Sequence, residues 1–453
     1  MPTEQEILGA LKNIIDPDFQ KDIVSLGFIK NLSINDGNVA FDIDLTTPAC
    51  PVKTEFQTQA QEAVRQLPGV RTVKVHMTAT PRSQGSATDI QQSGLTSVQS
   101  IIAVSSAKGG VGKSTVSGCL ALALAKRGFR VGLLDTDIYG PSIPSLFNLR
   151  HVTIYVNDKN QFIPLQHHSL KVMSFGFLLG DAPAVLRGPI VSRYIQQLLH
   201  NTAWGELDYL FLDMPPGTGD IQLTITQAVR ISGAVIVTTR QTLSLVDVSR
   251  GILMFEKVDI PILGIIENMS YFICDQCQKR HYIFGGSQST TLEERFGLPT
   301  LAQIPLLKEL TTSLDAQIEN PLIQEAVDQV VRAHGKTRIS RKEIPQIRFD
   351  DRFTYLKWSN GEELKVSNRD LRLSCRCALC VDELTGNQKL LPEHVQADIK
   401  PKEIFPLGNY AIGINWNDGH TSGIYPYKTI REIPHSKDEG CGTRDAKASR
   451  PSS

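Results

Sequence analysis

The chain has 453 residues, 41% of them hydrophobic, with 47 Lys and Arg balanced by 47 Asp and Glu. That length holds two to four domains, and zero formal net charge sets up no global field for nucleic acid or an anionic membrane. No apolar run reaches the length of a membrane span, and eight cysteines, five of them in two close clusters, point to metal binding in a reducing compartment rather than a disulfide framework.

The opening Met1-Pro2-Thr3-Glu4-Gln5-Glu6 is acidic and polar, unlike a secretory signal or an Arg/Ser-rich transit peptide. Residues 4–15 carry helical periodicity, with Ile7, Leu8, Leu11 and Ile14 on one face, until Asp16-Pro17-Asp18 breaks it. Residues 23–29 and 38–45 predict strands joined at Asn35-Asp36-Gly37, residues 54–67 a second helix and residues 70–77 a last strand. The order α-β-β-α-β gives a small α+β domain over residues 1–82. Cys50, in Thr46-Thr47-Pro48-Ala49-Cys50-Pro51, sits at a helix N-terminus, where thiolate and metal ligation are favoured; the alternative is a half-buried Cys beside a turn. Together with Ile15-Asp16-Pro17-Asp18 and Asp22-Ile23-Val24-Ser25-Leu26-Gly27, this stretch resembles the SufT/PaaD-type domain of iron–sulfur assembly, which makes Cys50 a possible metal ligand. Residues 83–99, rich in Ser, Gln, Gly and Thr, form a linker.

Residues 100–333 alternate strands and helices, which predicts an α/β fold with a doubly wound, mostly parallel sheet. At its head the apolar run Ile101-Ile102-Ala103-Val104 leads into Lys108-Gly109-Gly110-Val111-Gly112-Lys113-Ser114-Thr115, and a helix follows. Strand, Gly-rich loop and helix form a phosphate-binding loop: its N–H groups converge on phosphate, Lys113 reaches the β/γ-phosphates and Ser114 ligates Mg²⁺. Ala107 stands where the first Gly of the usual pattern belongs. Cys119, among Ala and Leu on the loop's helix, is a core residue. The strand Arg130-Val131-Gly132-Leu133-Leu134-Asp135-Thr136-Asp137 ends in two carboxylates, at the strand ends that line the ligand crevice of such a sheet. Leu207-Asp208-Tyr209-Leu210-Phe211-Leu212-Asp213 makes Asp213 a Walker B candidate for Mg²⁺, and Met214-Pro215-Pro216-Gly217-Thr218-Gly219-Asp220 follows as a switch loop in which Gly217 could offer its N–H to the γ-phosphate. Further core strands cover residues 234–239, 262–269 and 299–305.

The shifted loop, the Ile138-Tyr139-Gly140-Pro141-Ser142-Ile143-Pro144 stretch and Glu267-Asn268-Met269 resemble the Mrp/ApbC branch of MinD-like P-loop NTPases. The resemblance implies that Lys108 reaches the nucleotide of a partner copy, that Asp135 lies near the Mg²⁺ shell, that Asp137 helps orient the attacking water and that Asn268 contacts adenine. Lys108, Lys113, Asp137 and Asp213 would then carry hydrolysis. The family usually has Pro-Gln after the 234–239 strand; here Arg240-Gln241 leaves that loop's conformation open.

Cys274-Asp275-Gln276-Cys277 supplies two thiolates, whereas a closed zinc or four-iron site needs four ligands, and only His281 lies nearby in sequence. Two chains about a twofold axis would supply four cysteines. In the resembled carriers such pairs hold a bridging [4Fe–4S] cluster at a dimer interface; a zinc site that staples the loop, in one chain or across the dimer, is the alternative.

Residues 334–350 read as a second linker, residues 351–434 as many short strands and turns, and residues 435–453 as a polar, disordered tail containing Cys441. Cys375, Cys377 and Cys380 with the later His420 have the number and type of a closed tetrahedral zinc set; partly buried free thiols are the alternative. The stretch resembles the small zinc domain at the N-terminus of γ-butyrobetaine hydroxylases, with Arg376 in place of the usual Pro, and the resemblance assigns the zinc to these four residues.

The three-module layout resembles the chloroplast high-chlorophyll-fluorescence type of Mrp protein. It implies a slow, Mg²⁺-dependent ATPase that receives a cluster from an upstream scaffold and carries it, as a homodimer, to apo iron–sulfur proteins. Such a protein binds no nucleic acid and inserts stably in no membrane. It would be cytoplasmic in a bacterium and in the plastid stroma or another organelle matrix in a eukaryote. The rival readings are a MinD/ParA-like positioning ATPase and a chelatase- or nitrogenase-reductase-like electron donor.

Overall fold

Five strands buried along their whole length build the centre of the molecule: Ile101–Ser105, Val131–Asp135, Tyr209–Asp213, Gly233–Thr238 and Ile262–Asn268. Strands covered on both faces read as continuous apolar runs, which is why they were legible. The computed structural model describes residues 2–45, 47, 53–78, 94–150, 152–179, 188–240, 242–274, 276–283, 292–306, 314–340, 345–377, 380–381, 387–407, 410–421 and 423–433. The possible ligand Cys50 and the tail with Cys441 lie outside these residues.

The central sheet has eight strands. In spatial order they are Thr300–Ile304, Ile262–Asn268, Gly233–Thr238, Ile101–Ser105, Tyr209–Asp213, Val131–Asp135, Leu170–Ser174 and Leu165–His167. Every neighbouring pair is parallel except the last. The sequence reading did not include that edge hairpin, whose strands are short. Alternate residues of each strand enter two different cores: Ile102, Val104 and Leu133 pack toward the helix Lys113–Lys126, and Ile101, Ala103 and Leu134 toward the opposite layer. That helix is buried from Val116 to Ala125, so it shows no amphipathic stripe. Cys119 is a core residue, as expected, with its thiol 3.3 Å from Gln317 Oε1 and pushed up to about 12 by burial.

Residues 94–99 belong structurally to this domain: Gly94 N–H donates to His200 O and Val98 bridges Leu207. At the other end, the helix Pro321–Ser340 runs through half of the segment read as a second linker. It does so because Val327, Val330, Val331 and His334 continue its buried face. Gln346–Phe349 then already pairs with Phe353–Lys357.

The N-terminal module has the expected α-β-β-α-β elements around a three-stranded sheet in which Asn38–Asp44 lies between Ile29–Asn35 and Thr72–Thr78, and adds an unexpected short pair, Ile15–Asp16 with Lys21–Asp22, after the first helix. The strand expected at residues 23–29 is a correction: it starts only at Ile29. Asp22 Oδ1 accepts from the N–H groups of Val24 and Ser25 and folds that segment into turns, with Gly27 at φ 72°. The Asp36-Gly37 turn is as expected, both residues in the left-handed region that a two-residue hairpin demands.

Two three-stranded antiparallel sheets make the C-terminal module, one from Gln346–Phe349, Phe353–Lys357 and Glu363–Ser367, the other from Pro401–Leu407, Ala411–Trp416 and Gly423–Pro426. This module docks on the nucleotide domain. Leu407, Ala411 and Ile424 join the core that contains Ile265, Phe296 and Leu298, and the Tyr410 hydroxyl donates to Glu256 Oε1 at 2.9 Å. Burial and the Glu256 carboxylate push the Tyr410 phenol well above its ordinary range, so it stays a donor. Tyr410→Phe is expected to cost about 1.5–3 kcal/mol, the worth of a hydrogen bond to a charged group. The loss should appear as a lower thermal midpoint and as faster proteolytic release of the C-terminal module.

Candidate nucleotide and metal sites

The parallel pairing of Tyr209–Asp213 with Val131–Asp135 sets Asp213 directly opposite Asp135 at the carboxyl end of the sheet. Both carboxylates are buried. The phosphate loop, leaving the adjacent strand Ile101–Ser105, brings Lys113 and Ser114 to the same place. Lys113 Nζ donates to Asp213 Oδ1 at 2.6 Å, and Ser114 Oγ donates to Asp213 Oδ2 at 2.6 Å. Two hard oxygen donors thus converge from loop and strand, the chemistry that suits Mg²⁺ beside a phosphate.

Asp135 is held by three donors: Asp137 N–H at 3.0 Å, Ile143 N–H at 3.2 Å and Ser174 Oγ at 3.0 Å. Burial, with Asp213 adding to it, pushes Asp135 up to about 7. Burial also pushes Asp213 up, against the nearby Lys113 ammonium. Asp137 lies one turn further out and caps Gly140 N–H at 3.1 Å.

Gly109 and Gly110 are exposed at the crest of the loop, Val111 is buried, and Thr115 is half-buried one residue beyond Ser114. Lys108 is half-buried, and its carbonyl accepts from Ser106 Oγ. Gly112 has φ 79°, and a Cβ there would come within 2.2 Å of Asn268 Nδ2. Only glycine fits both conditions. Asn268 itself donates to Val111 O at 2.9 Å, so it braces the phosphate loop from a strand whose loop leads to the cysteine pair. Gly217 has φ 97°, and its N–H donates to Ser106 O at 2.9 Å; that bond must open before this N–H can meet a phosphate.

The strand Ile262–Asn268 continues through Ser270 into a small hairpin of Phe272–Ile273 and Arg280–His281. Its tip carries half-buried Cys274 and exposed Cys277, and the donor atoms of Cys274, Cys277 and His281 all lie within 4.8 Å of one another. Of the Arg240-Gln241 loop whose conformation the sequence left open, Gln241 lies outside the described residues and Arg240 is held by two contacts. Its Nε donates to Glu267 Oε1 at 2.7 Å, and its guanidinium lies 5.0 Å from the Tyr282 ring centroid. Sequence reasoning noticed Arg240 only as a departure and had no signal for Tyr282, because neither contact is local.

In the C-terminal module Cys375, Cys377, Cys380 and His420 are all buried and converge within 4.8 Å. His420 Nε2 lies 3.3 Å from Cys375 Sγ and 3.6 Å from Cys377 Sγ. The Cys375 hydrogen bond holds the Cys377 thiol low, and the same contact pushes Cys375 up, so the thiols cannot all ionise unaided. A buried divalent cation with a preference for sulfur and nitrogen resolves that conflict, and the donor set fits it. Arg372, missed in sequence, donates to Cys380 Sγ at 3.3 Å and to Asp418 Oδ2 at 2.9 Å, and Asp418 Oδ1 accepts from His420 N–H at 2.9 Å. This outer ring orients the ligands.

A family model described as "ParA: NUBPL iron-transfer P-loop NTPase" matches residues 97–338, more than half of the chain. The protein belongs to this iron-transfer P-loop NTPase family. The flanking modules of this NTPase match two more, "Iron-sulfur cluster assembly protein" over residues 4–77 and "Gamma-butyrobetaine hydroxylase-like, N-terminal" over residues 346–431. The chain is 44% identical over 446 residues to "Fe-S cluster assembly factor HCF101, chloroplastic" of Arabidopsis thaliana, covering 95% of this chain and 83% of that one. To the "Iron-sulfur cluster carrier protein" of a Synechocystis strain it is 45% identical over 311 residues, covering 68% and 88%. Among solved structures, a nucleotide-binding protein in complex with ADP from Archaeoglobus fulgidus is 41% identical with a TM-score of 0.45, covering 51% of this chain and 93% of that chain.

Two predictions follow from the geometry of this NTPase. Glu267 is buried, and among the described residues its Oε2 has no hydrogen-bond partner. Arg240→Met therefore leaves a buried carboxylate unpaired and should cost about 3 kcal/mol or more in denaturant unfolding, with Glu267→Gln on top recovering much of the loss. Asp135 keeps its proton in the folded, metal-free chain up to about 7, whereas the ordinary carboxyl value is 3.8. The stability that proton confers is full below the ordinary value and is lost as pH rises through about 7. Thermal midpoints in EDTA should fall over that window, and Asp135→Asn should flatten the slope.

Proposed function

We propose that this NTPase is an ATP-dependent carrier that holds a [4Fe–4S] cluster between two copies of itself and delivers it to apo iron–sulfur proteins. The observation that carries this reading is the Cys274/Cys277 hairpin, which grows from the same strand end whose Asn268 braces the phosphate loop. A sulfur pair that could report on a nucleotide pocket suits a carrier whose grip follows ATP. A positioning ATPase has no use for it.

Within one chain the loop N–H groups of Gly109 to Thr115 cradle phosphate, and Lys113 turns from Asp213 to the β/γ-phosphates. Mg²⁺ held by Ser114 and Asp213 supplies charge neutralisation of the transferring phosphate. Asp135 holds the strand end and the Ile143 turn in place, and Asp137 orients the attacking water. Lys108 of one copy reaches the nucleotide of the other, which ties turnover to pairing. Asn268 also flanks the adenine. Opening of the Gly217–Ser106 bond frees the switch loop to follow the γ-phosphate. Two copies together present four cysteines, the number a [4Fe–4S] cluster takes. The cluster comes from an upstream assembly scaffold, and the Cys375, Cys377, Cys380 and His420 set holds a structural zinc.

Anaerobic reconstitution with iron and sulfide tests the whole reading. Four iron and four sulfide per pair of chains are expected, together with the mass of a dimer and one zinc per chain. Cys274→Ser and Cys277→Ser should each abolish the cluster and leave the zinc. Lys108→Ala should load normally but slow ATP-dependent transfer to an apo-acceptor by roughly tenfold, an ordinary coupling free energy. A wild-type chain that stays single with ATP and takes up no iron overturns the proposal.

A further inference from the structure

The geometry points to a second metal-bound state at the same hairpin: one chain alone holds one divalent transition ion through Cys274, Cys277 and His281. The place of this state in cluster delivery rests on the carrier reading; its existence does not.

The hairpin is built to bring the three ligands together. Gln278 N–H donates to Cys274 O at 2.9 Å and Cys274 N–H donates to Lys279 O at 3.0 Å, which closes the turn around the sulfurs. Gln278 sits in the left-handed region at φ 56°, so the chain reverses there. The pairing of Phe272 with His281 and of Ile273 with Arg280 then carries the imidazole back beside Cys274. The result is a C-x₂-C-x₃-H set whose donor atoms are all within 4.8 Å of one another. Small side-chain rotations bring such atoms to the roughly 2.3 Å and 2.0 Å bonds that sulfur and nitrogen make to zinc-like ions. Among the described residues the His281 ring has no hydrogen bond or ion pair, and it is exposed, so its imidazole is accessible to an ion.

Donor chemistry sets the ligand class. Two thiolates and one neutral imidazole balance a 2+ ion, and an S₂N set suits Zn²⁺, Fe²⁺ or Co²⁺ rather than Mg²⁺ or Ca²⁺. Binding releases the two thiol protons. Three ligands leave one tetrahedral position open, and with Cys277 and His281 exposed that position faces solvent. A water fills it in the lone chain, and an incoming thiolate can replace that water. When two hairpins meet, four cysteines suffice for a cluster, so His281 is released. The single-ion chain and the cluster-bearing pair are therefore exclusive states of one hairpin, and His281 belongs only to the first.

Cobalt titration of the reduced, full-length protein under anaerobic conditions tests this. Because Co²⁺ also suits the Cys375 set, the hairpin signal is the difference between wild type and the Cys274→Ser/Cys277→Ser double variant. One cobalt per chain is expected in that difference, with thiolate charge-transfer and tetrahedral ligand-field bands and no rise in mass above a single chain. His281→Ala should weaken this binding by at least about tenfold. His281→Cys should raise the charge-transfer intensity by about half, as two thiolates become three. Both variants should still accept a cluster on reconstitution. Equal cobalt affinity and spectrum in wild type and His281→Ala overturn the inference, as does binding that requires two chains per cobalt. A wild type that binds cobalt as described yet accepts no cluster upholds this site and removes the carrier reading.

Discussion

Two carboxylates and one ammonium share the carboxyl end of the central sheet almost out of contact with water. Asp213 is fully buried and Lys113 is 6% exposed, and Asp135 faces Asp213 one strand away. Taking such charges from water costs several kcal/mol each unless partners satisfy them. Here the partners come from several elements: Lys113 and Ser114 from the phosphate loop, Asp137 and Ile143 from the turn after Asp135, and Ser174 from the next strand. The sheet order is what makes them neighbours. Lys113 and Ser114 both donate to Asp213; in binding, a phosphate would take Lys113 and a divalent ion would take Asp213 and Ser114, an exchange of partners.

That exchange has a short route to the sulfur hairpin. Asn268 touches the phosphate loop, Glu267 beside it takes Arg240, and Arg240 stacks on Tyr282 of the hairpin's far side. Arg280 stacks in turn on Tyr271 at the hairpin's root. Each link is a packed or charge-assisted contact between residues adjacent in space. The phosphate loop and the cysteine hairpin are thus joined by a continuous run of side-chain contacts, the physical link that the proposed nucleotide-controlled carrier requires.

The flanking modules are attached by different physics. The N-terminal module meets the nucleotide domain at Asp18, with Arg332 at 3.4 Å and Lys336 at 3.3 Å in part-buried ion pairs. The C-terminal module instead shares a hydrophobic core with it. Pro426 of that module would lie within 2.8 Å of a Cβ at Gly297. Its own fold leans on the Cys375, Cys377, Cys380 and His420 cage, with Trp416 and Tyr425 packed beside it and joined by a 2.8 Å hydrogen bond.

The sequence by itself determined the features whose cause is local. The buried strands announced themselves as apolar runs, the phosphate loop as glycines ahead of Lys113 and Ser114, the Asp36-Gly37 turn as a left-handed pair, and the C-terminal thiol cluster as three cysteines in six residues; that His420 joins them rested on a family resemblance. It misplaced the start of the strand at Ile29, because Asp22 diverts the preceding residues into turns that an apolar count does not see. It took the helix ending at Ser340 for part of a linker, because the outer face of that helix is polar. Tertiary structure alone decided what depends on distant partners. Arg240 finds Glu267 and Tyr282, Ser174 finds Asp135, Asn268 finds the loop carbonyl of Val111, and His281 returns to Cys274 across a hairpin. Periodicity and spacing encode which residues are buried or turn; they do not encode which buried groups, far apart along the chain, the sheet order will place within bonding distance.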